Sequence, residues 1–212
     1  MTIEQRIKNL SVPEGKIDVV LDTDAYNEID DQFAIAYLYL APSVELLAVN
    51  AVHYMHDRCN SKEVGMKRSY DEIVKVLSLA DPHYTTKTYR GSINTIDETG
   101  SYVESDAADA IIRIARESDE MVYVVAIGAL TNVTSAILKA PDIKEKICVV
   151  FVGCRPLPNR NPEGGQGLCC KPEKRKRPPG WVVFLFLTSC TEKDIIHKKY
   201  ILWYIPVRQN KY

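Results

Sequence analysis

Four short runs of mostly apolar residues recur along the first 154 residues, and each has the composition of a strand buried on both faces. They are Ile17–Leu21, Val44–Val52, Met121–Ile127 and Ile147–Val152. Segments with helical spacing of apolar residues separate them, at Ile29–Leu40, Tyr70–Leu79, Ser105–Arg116 and Thr131–Leu138. This alternation predicts an α/β fold: a doubly wound, mostly parallel sheet with helices on both sides.

The composition of the chain changes near residue 154. The net charge of −1 over 212 residues hides a split, because residues 1–154 sum to −9 and residues 155–212, with 12 Lys and Arg against 4 Asp and Glu, sum to +8. Seven of the eleven prolines also follow residue 154. We therefore predict an α/β domain over residues 1–154 and a divergent, basic, proline-rich tail over residues 155–212.

The tail itself has two interpretations. It is either a frameshifted or wrongly spliced continuation of a longer protein, or a genuine appendage. Its basic stretch, Lys171–Pro179, has no accompanying nucleic-acid-binding motif, which favours a solvated linker over a nucleic-acid site.

Several features bear on location and partners. The longest apolar run, Trp181–Leu187, is far short of the ~20 residues that span a bilayer. No secretory signal is visible in residues 1–16, and the six cysteines lack the spacing of a zinc site, which favours reduced thiols. We predict a cytoplasmic protein without a membrane partner, for which a homo-oligomer is an open alternative.

Five carboxylates lie within ten residues directly after the first predicted strand: Asp22, Asp24, Glu28, Asp30 and Asp31. In doubly wound sheets ligands bind beyond the carboxyl ends of the strands, which is where this cluster falls. One or two acids would be ordinary helix caps and turn residues. Five in a cluster repel one another unless a cation neutralises them, and an all-oxygen site favours Ca²⁺ or Mg²⁺.

Two segments resemble known motifs. VVLDTDAYNEIDDQFAIA (Val19–Ala36) is similar to the N-terminal signature of the inosine/uridine-preferring nucleoside hydrolase family: an apolar strand, Asp-x-Asp, a short loop, Asp-Asp and an apolar helix. VVAIGALTNVTSA (Val124–Ala136) resembles the family's strand followed by Gly-x-Leu-Thr-Asn. The resemblance covers about residues 17–153, and the loop between Asp24 and Asp30 is two residues longer than in the best-known members.

The resemblance implies a calcium-dependent enzyme that cleaves a ribonucleoside, its small-molecule substrate, into free base and ribose. Asp24 would bind Ca²⁺ and take a proton from the water bound to it, and Asp31 would chelate the ion. The backbone carbonyl of Ile127 would be a further metal ligand, in a turn that Gly128 allows.

The resemblance also implies roles in binding the substrate and supporting the site. Asp30 would accept hydrogen bonds from ribose hydroxyls, and Asp22 would brace the cluster. His56 stands near the position of a ligand-contacting asparagine, so we expect it to line the pocket. For Asn132, we expect bracing of the backbone rather than contact with the ligand.

The last third of the chain departs from the family pattern. The Asn-containing ribose-binding segment and the late His-Asp pair of the family are not recognisable after residue 153. We therefore expect impaired turnover, and a non-catalytic relative that binds calcium or nucleosides is one alternative. A second is an aspartate-nucleophile phosphatase, in which Asp22 would attack phosphorus, Asp24 would be the acid and base, and Mg²⁺ would bind.

Overall fold

A computed structural model describes residue 4, residues 13–55 and 59–152, and two short strands near the C-terminus. The elements up to residue 151 are β1 (Ile17–Thr23), α1 (Ile29–Leu40), β2 (Val44–Ala51), α2 (Lys62–Ala80), β3 (Lys87–Tyr89), α3 (Ile96–Thr99), α4 (Asp106–Glu117), β4 (Val122–Ala126), α5 (Thr131–Lys139), a 3₁₀ turn (Pro141–Glu145) and β5 (Ile147–Phe151). The two later strands, β6 (Phe184–Phe186) and β7 (Ile201–Trp203), pair with each other antiparallel.

Five strands form one sheet in the order β3-β2-β1-β4-β5, and every pair in it is parallel. The predicted α/β fold with a doubly wound parallel sheet is therefore confirmed. The chain runs outward from β1 in one direction through β2 and β3, then returns to the other side of β1 as β4 and β5. Such a reversal opens a crevice between the carboxyl ends of the two strands at the switch point, here β1 and β4.

The sheet has a hydrophobic core on each face. On one face, Ile35 of α1 and Ile73 and Leu77 of α2 pack over Leu21 and Val49. On the other face, the core includes Ile111 from α4 and Val133 and Ile137 from α5, together with Val122 and Val124 of β4. Because helices cover both faces, the strands are apolar along their length, as their sequences predict.

The apolar stripe of α1 does not face the sheet. Its larger members, Ile29, Phe33, Tyr37 and Leu40, are each at least 65% exposed, whereas Asp31 and Ile35 on the opposite side of the helix are buried. An apolar stripe ordinarily indicates the buried side of a helix, and here it indicates the outer surface. The side of α1 that faces the sheet carries Ile35, which packs in the core, and Asp31, which accepts a hydrogen bond from Thr23 at the end of β1.

Serine caps begin two of the long helices. The Ser61 hydroxyl accepts from the N–H of Val64 at the start of α2, and the Ser105 hydroxyl accepts from the N–H of Ala108 at the start of α4. Helix α2 starts eight residues before the predicted Tyr70, because its first two turns are mostly polar and carry no periodic stripe. In the described part of the chain, each helix is too short or too polar to cross a membrane.

The boundary predicted near residue 154 falls just after the last continuously described residue, Val152. The separate domain predicted over residues 155–212 lies almost wholly outside the described residues. It therefore stays a prediction.

Candidate functional site

The carboxyl ends of β1, β2 and β4 lie side by side, and backbone hydrogen bonds fix their relative heights. The N–H of Ile127 donates to the carbonyl of Asp22 at 2.9 Å, and the N–H of Val52 donates to the carbonyl of Thr23 at 2.9 Å. Asp22, at the end of β1, therefore lies beside the turn that follows β4. This is the crevice in which the topology places a ligand.

Asp22 lies at the bottom of this crevice and is fully buried. Its Oδ1 accepts a hydrogen bond from Nδ2 of Asn50 on β2 at 2.7 Å, while its Oδ2 has no hydrogen-bond partner among the described residues. Burial raises the pKa of Asp22 to about 7, and the amides of Asn50 and Asn132 oppose that rise. Asp22 is thus a closed-in carboxyl group without a cationic partner in the described part of the chain.

Asp31 reaches the same crevice from the first turn of α1. It is 7% exposed, and its Oδ1 accepts a hydrogen bond from the hydroxyl of Thr23. Burial raises the pKa of Asp31 to about 7, and the negative charge of Asp24 adds to the rise. Desolvation is thus a larger cause than the repulsion between neighbouring carboxylates.

Asp24 is half-buried between Asp31 and the turn after β4. Burial is the main cause that raises its pKa above the ordinary value. A Cβ atom built on Gly128 would lie 3.0 Å from Oδ1 of Asp24 and 3.2 Å from its backbone nitrogen. Gly128 lies in the bend that follows β4 and has no positive φ. Its missing side chain leaves room for Asp24, whose carboxylate would have to move by a few tenths of an ångström to accept a Cβ there.

The remaining predicted site residues differ in their placement. Asp30 is exposed in the first turn of α1, next to Asp31. Ile127 directly follows β4, and its side chain packs against the core on the α1 side. His56 lies outside the described residues, because the description stops at Met55 and resumes at Cys59.

Asn132 is buried at the start of α5 and ties three loops together. Its Nδ2 donates to the carbonyl of Ala51 at 3.3 Å, and its Oδ1 accepts from the N–H of Ser92 at 3.0 Å. A Cβ on Gly91 would lie 2.1 Å from the Ala51 carbonyl oxygen and 2.7 Å from Nδ2 of Asn132, so only glycine fits there. With the hydroxyl of Ser105 as a further donor to its Oδ1 at 3.5 Å, Asn132 joins the end of β2, the loop after β3 and the cap of α4.

The oxygen chemistry of the crevice fits a hard divalent cation in part. Asp24, Asp31 and the Ile127 carbonyl are oxygen donors, the class that Ca²⁺ and Mg²⁺ prefer. No group of three or more His, Cys, Asp or Glu side chains is arranged as a metal site within the described residues. Since Ca²⁺ takes six to eight oxygens, these residues would supply only part of a coordination shell.

Three residues of the crevice were missed by the sequence analysis. Nothing in the sequence singles out Thr23 or Asn27, yet each donates a hydrogen bond to an acidic residue of the cluster. Asn50 carried a usable signal, because a lone amide inside the apolar strand VELLAVNAV must find a buried partner. That partner is Asp22.

Comparisons with known proteins point to one family. The family model described as inosine-uridine preferring nucleoside hydrolase matches residues 19–161, which is more than half of the chain and confirms the resemblance seen in the two motifs. No curated protein matches the chain.

Two solved structures share the fold. An inosine-guanosine nucleoside hydrolase is 22% identical with a TM-score of 0.51, and the match covers 64% of this chain and 48% of that one. A plant nucleoside hydrolase, the PpNRh1 enzyme, is 18% identical with a TM-score of 0.52, covering 68% of this chain and 49% of that one. The chain thus spans about half the length of these solved relatives.

Proposed function

This chain belongs to the inosine-uridine preferring nucleoside hydrolase family, and from that premise we propose that it hydrolyses the N-glycosidic bond of ribonucleosides to free base and ribose. The observation that carries the proposal is the pairing of Asp24 and Asp31 in the crevice between β1 and β4. Both carboxyl groups have raised pKa values, and both lie within the segment that matches the family.

Cleavage of an N-glycosidic bond leaves positive charge on the sugar ring as the bond electrons move to the departing base. Carboxylates beside the ring stabilise that charge. In our proposal, Asp24 accepts the proton of the attacking water, a task that a raised pKa favours near neutral pH. Asp30, exposed at the mouth of the crevice, accepts hydrogen bonds from ribose hydroxyls.

The other residues of the site hold this arrangement in place. Asp24, Asp31 and the Ile127 carbonyl would hold Ca²⁺, which when bound would supply electrostatic activation of the attacking water. Asp22 supports the cluster from below through Asn50. Asn132 holds the loops after β2 and β3 against α5, and His56 is proposed to line the pocket.

The burial of Asp22 disfavours the phosphatase alternative. A nucleophile must reach the phosphorus of its substrate, yet Asp22 is fully buried and one of its oxygens is bound to Asn50. A phosphatase would also leave the Gly128 and Asn132 contacts without a purpose. We propose a cytoplasmic location and leave a homo-oligomer open.

A reducing-sugar assay over a panel of ribonucleosides tests the proposal. We expect sugar release that a chelator abolishes and that added Ca²⁺ restores. Asp24→Ala should lower kcat roughly 10²–10⁴-fold, the range for loss of a general base. Asp142→Ala, which removes an exposed acid far from the crevice, is the matched control and should leave the rate unchanged.

Three outcomes would contradict the proposal in different ways. Release that persists in Asp24→Ala would remove this residue from the chemistry. Phosphate release from p-nitrophenyl phosphate without base release from inosine would establish the phosphatase. Calcium binding by calorimetry without sugar release from any nucleoside would establish a non-catalytic relative.

A further inference from the structure

The loop between β1 and α1 folds back onto Asp24. The backbone N–H of Asn27 donates to the carbonyl of Asp24 at 2.7 Å, which closes a tight turn. The side chain of Asn27 follows the same path, and its Nδ2 donates to Oδ2 of Asp24 at 2.8 Å. Asn27 is only 8% exposed, so water competes little for this hydrogen bond.

The other oxygen of Asp24 meets a different part of the molecule. Oδ1 lies against Gly128 in the turn after β4, so closely that a Cβ atom there would be 3.0 Å away. The carboxylate is therefore held between two contacts, with one oxygen bound to the Asn27 amide and the other directed at the turn that carries the Ile127 carbonyl.

We propose that Asn27 is a positioning residue for Asp24, which fixes the plane of its carboxylate so that Oδ1 is presented to the cation and to the attacking water. The inference rests on the proposed function. Asn27 lies in the loop between Asp24 and Asp30, so this loop supplies a hydrogen-bond donor to the carboxylate that the proposed function makes reactive.

The physical reason is conformational. An Asp side chain rotates about two bonds, and its terminal torsion is broad, so an untethered carboxylate samples many orientations. A hydrogen bond to one oxygen restricts that rotation before the ligand arrives. Residues that orient metal-binding carboxylates in this way typically change metal affinity or activity by 10–100-fold when they are removed.

Calcium binding to the full chain, measured by isothermal titration calorimetry, tests the proposal. Asn27→Ala should weaken Ca²⁺ affinity about 10–100-fold, with the fold retained by circular dichroism, because the backbone hydrogen bond that closes the turn does not need the side chain. Asn94→Ala, which removes an exposed loop amide, is the matched control and should bind Ca²⁺ as the unaltered chain does.

An isosteric variant separates positioning from simple charge. Asn27→Asp keeps the shape, replaces the donor with an acceptor and adds a negative charge beside the cation. If the negative charge near the cation alone controlled binding, this variant would bind Ca²⁺ more tightly. A positioning role predicts weaker binding, because the new carboxylate repels Asp24 from its place. In an active chain, Asn27→Ala should lower kcat and leave the KM for the nucleoside unchanged.

The outcomes distinguish this inference from the proposed function. Equal Ca²⁺ affinity in the unaltered chain and Asn27→Ala, or tighter binding by Asn27→Asp, would overturn the positioning role and leave the function intact. Calcium binding that falls in Asn27→Ala, without sugar release by the unaltered chain, would support the positioning role and overturn the activity. No Ca²⁺ binding by the unaltered chain would overturn both.

Discussion

Acidic residues occupy two contrasting environments in this molecule. On the surface around α4 and α5, carboxylates are paired with cations: Asp142 accepts from both Nε and Nη2 of Arg116, at 2.8 and 2.9 Å, and Asp109 accepts from Lys139 at 2.7 Å. In the crevice, Asp22 and Asp31 are buried, and no Lys or Arg of the described residues pairs with them.

The two environments shift pKa values in opposite directions. The guanidinium of Arg116 holds the pKa of Asp142 below its ordinary value, whereas burial raises the pKa values of Asp22 and Asp31 to about 7. Surface acids are satisfied by the chain's own cations. Among the described residues, Asp22 and Asp31 have hydrogen bonds from Asn50 and Thr23 but no cationic partner, so a proton or a bound cation would be needed to neutralise them. This is the reason to regard the crevice as a binding site.

The largest expected effect is on the pH dependence of stability without divalent cations. Asp22 and Asp31 have folded pKa values of about 7, above the ordinary value of 3.8, so the folded state holds protons that the unfolded chain releases. Their contribution is complete below about pH 4 and is lost as the pH rises towards about 7, on the order of a few kcal/mol. Urea unfolding at a series of pH values with a chelator present measures this loss.

Variants decide whether the crevice causes that pH dependence. Asp22→Asn and Asp31→Asn should each flatten the curve between about pH 4 and 7. Asp142→Asn should not flatten it, because the lowered pKa of Asp142 gives the opposite sign, with stability lost as the pH falls. If the curve of stability against pH keeps its shape in both crevice variants, the crevice acids do not cause the pH dependence, and they do not differ from the surface acids in this respect.

The second effect concerns the Asn50 amide under Asp22. Asn50→Ala removes the donor to a fully buried carboxyl group and should lower the free energy of unfolding by about 3 kcal/mol above neutral pH. The loss should be smaller at acidic pH, where Asp22 is protonated and needs its donor less. Chemical denaturation at both pH values measures the difference, and equal losses would show that Asn50 acts by packing alone.

The sequence was sufficient for a parallel sheet and for four of its five strands. Apolar strands and helical spacing recur with strong periods, so β1, β2, β4, β5 and the helices α1, α4 and α5 were predicted within a few residues. β3 and α3 were missed, because three and four residues are too few to show a period. The start of α2 was missed because its stripe begins only at its third turn.

For the candidate site, the sequence placed the acidic residues but not all of their hydrogen-bond partners. The positions of Asp22, Asp24 and Asp31 at one strand end followed from chain order alone, since a residue that directly follows a parallel strand must lie at its carboxyl edge. Thr23 and Asn27 could not be predicted as partners, because their contacts depend on side-chain directions across the crevice. The position of Asn50 in an apolar strand signals a buried partner, but not that the partner is Asp22. The outward direction of the α1 stripe depends likewise on tertiary packing.

A third effect is expected at the glycine that admits Asp24. Gly128→Ala would place a methyl group 3.0 Å from Oδ1 of Asp24, so the carboxylate must shift by a few tenths of an ångström. We expect about tenfold weaker Ca²⁺ binding, the lower end of the range for disturbed carboxylate positioning, with the fold retained by circular dichroism. Unchanged affinity would show that the approach of Asp24 to this turn has no part in binding.

The smallest expected effect lies on the surface. Asp142→Asn breaks the ion pair with Arg116, but both side chains are more than half exposed and solvent screens their attraction. The thermal midpoint should therefore change too little to resolve by calorimetry. A clear loss of stability would mean that the surface acids also depend on their partners, and the contrast with the crevice would weaken.

Direct titration of Ca²⁺ into the chelator-treated chain tests the central claim, that Asp24 and Asp31 in the crevice hold a divalent cation. We predict saturable binding to the unaltered chain, at least about tenfold weaker binding to Asp31→Asn, and unchanged binding to Asp142→Asn. Binding that is lost equally in both variants, or that is absent from the unaltered chain, would contradict the account.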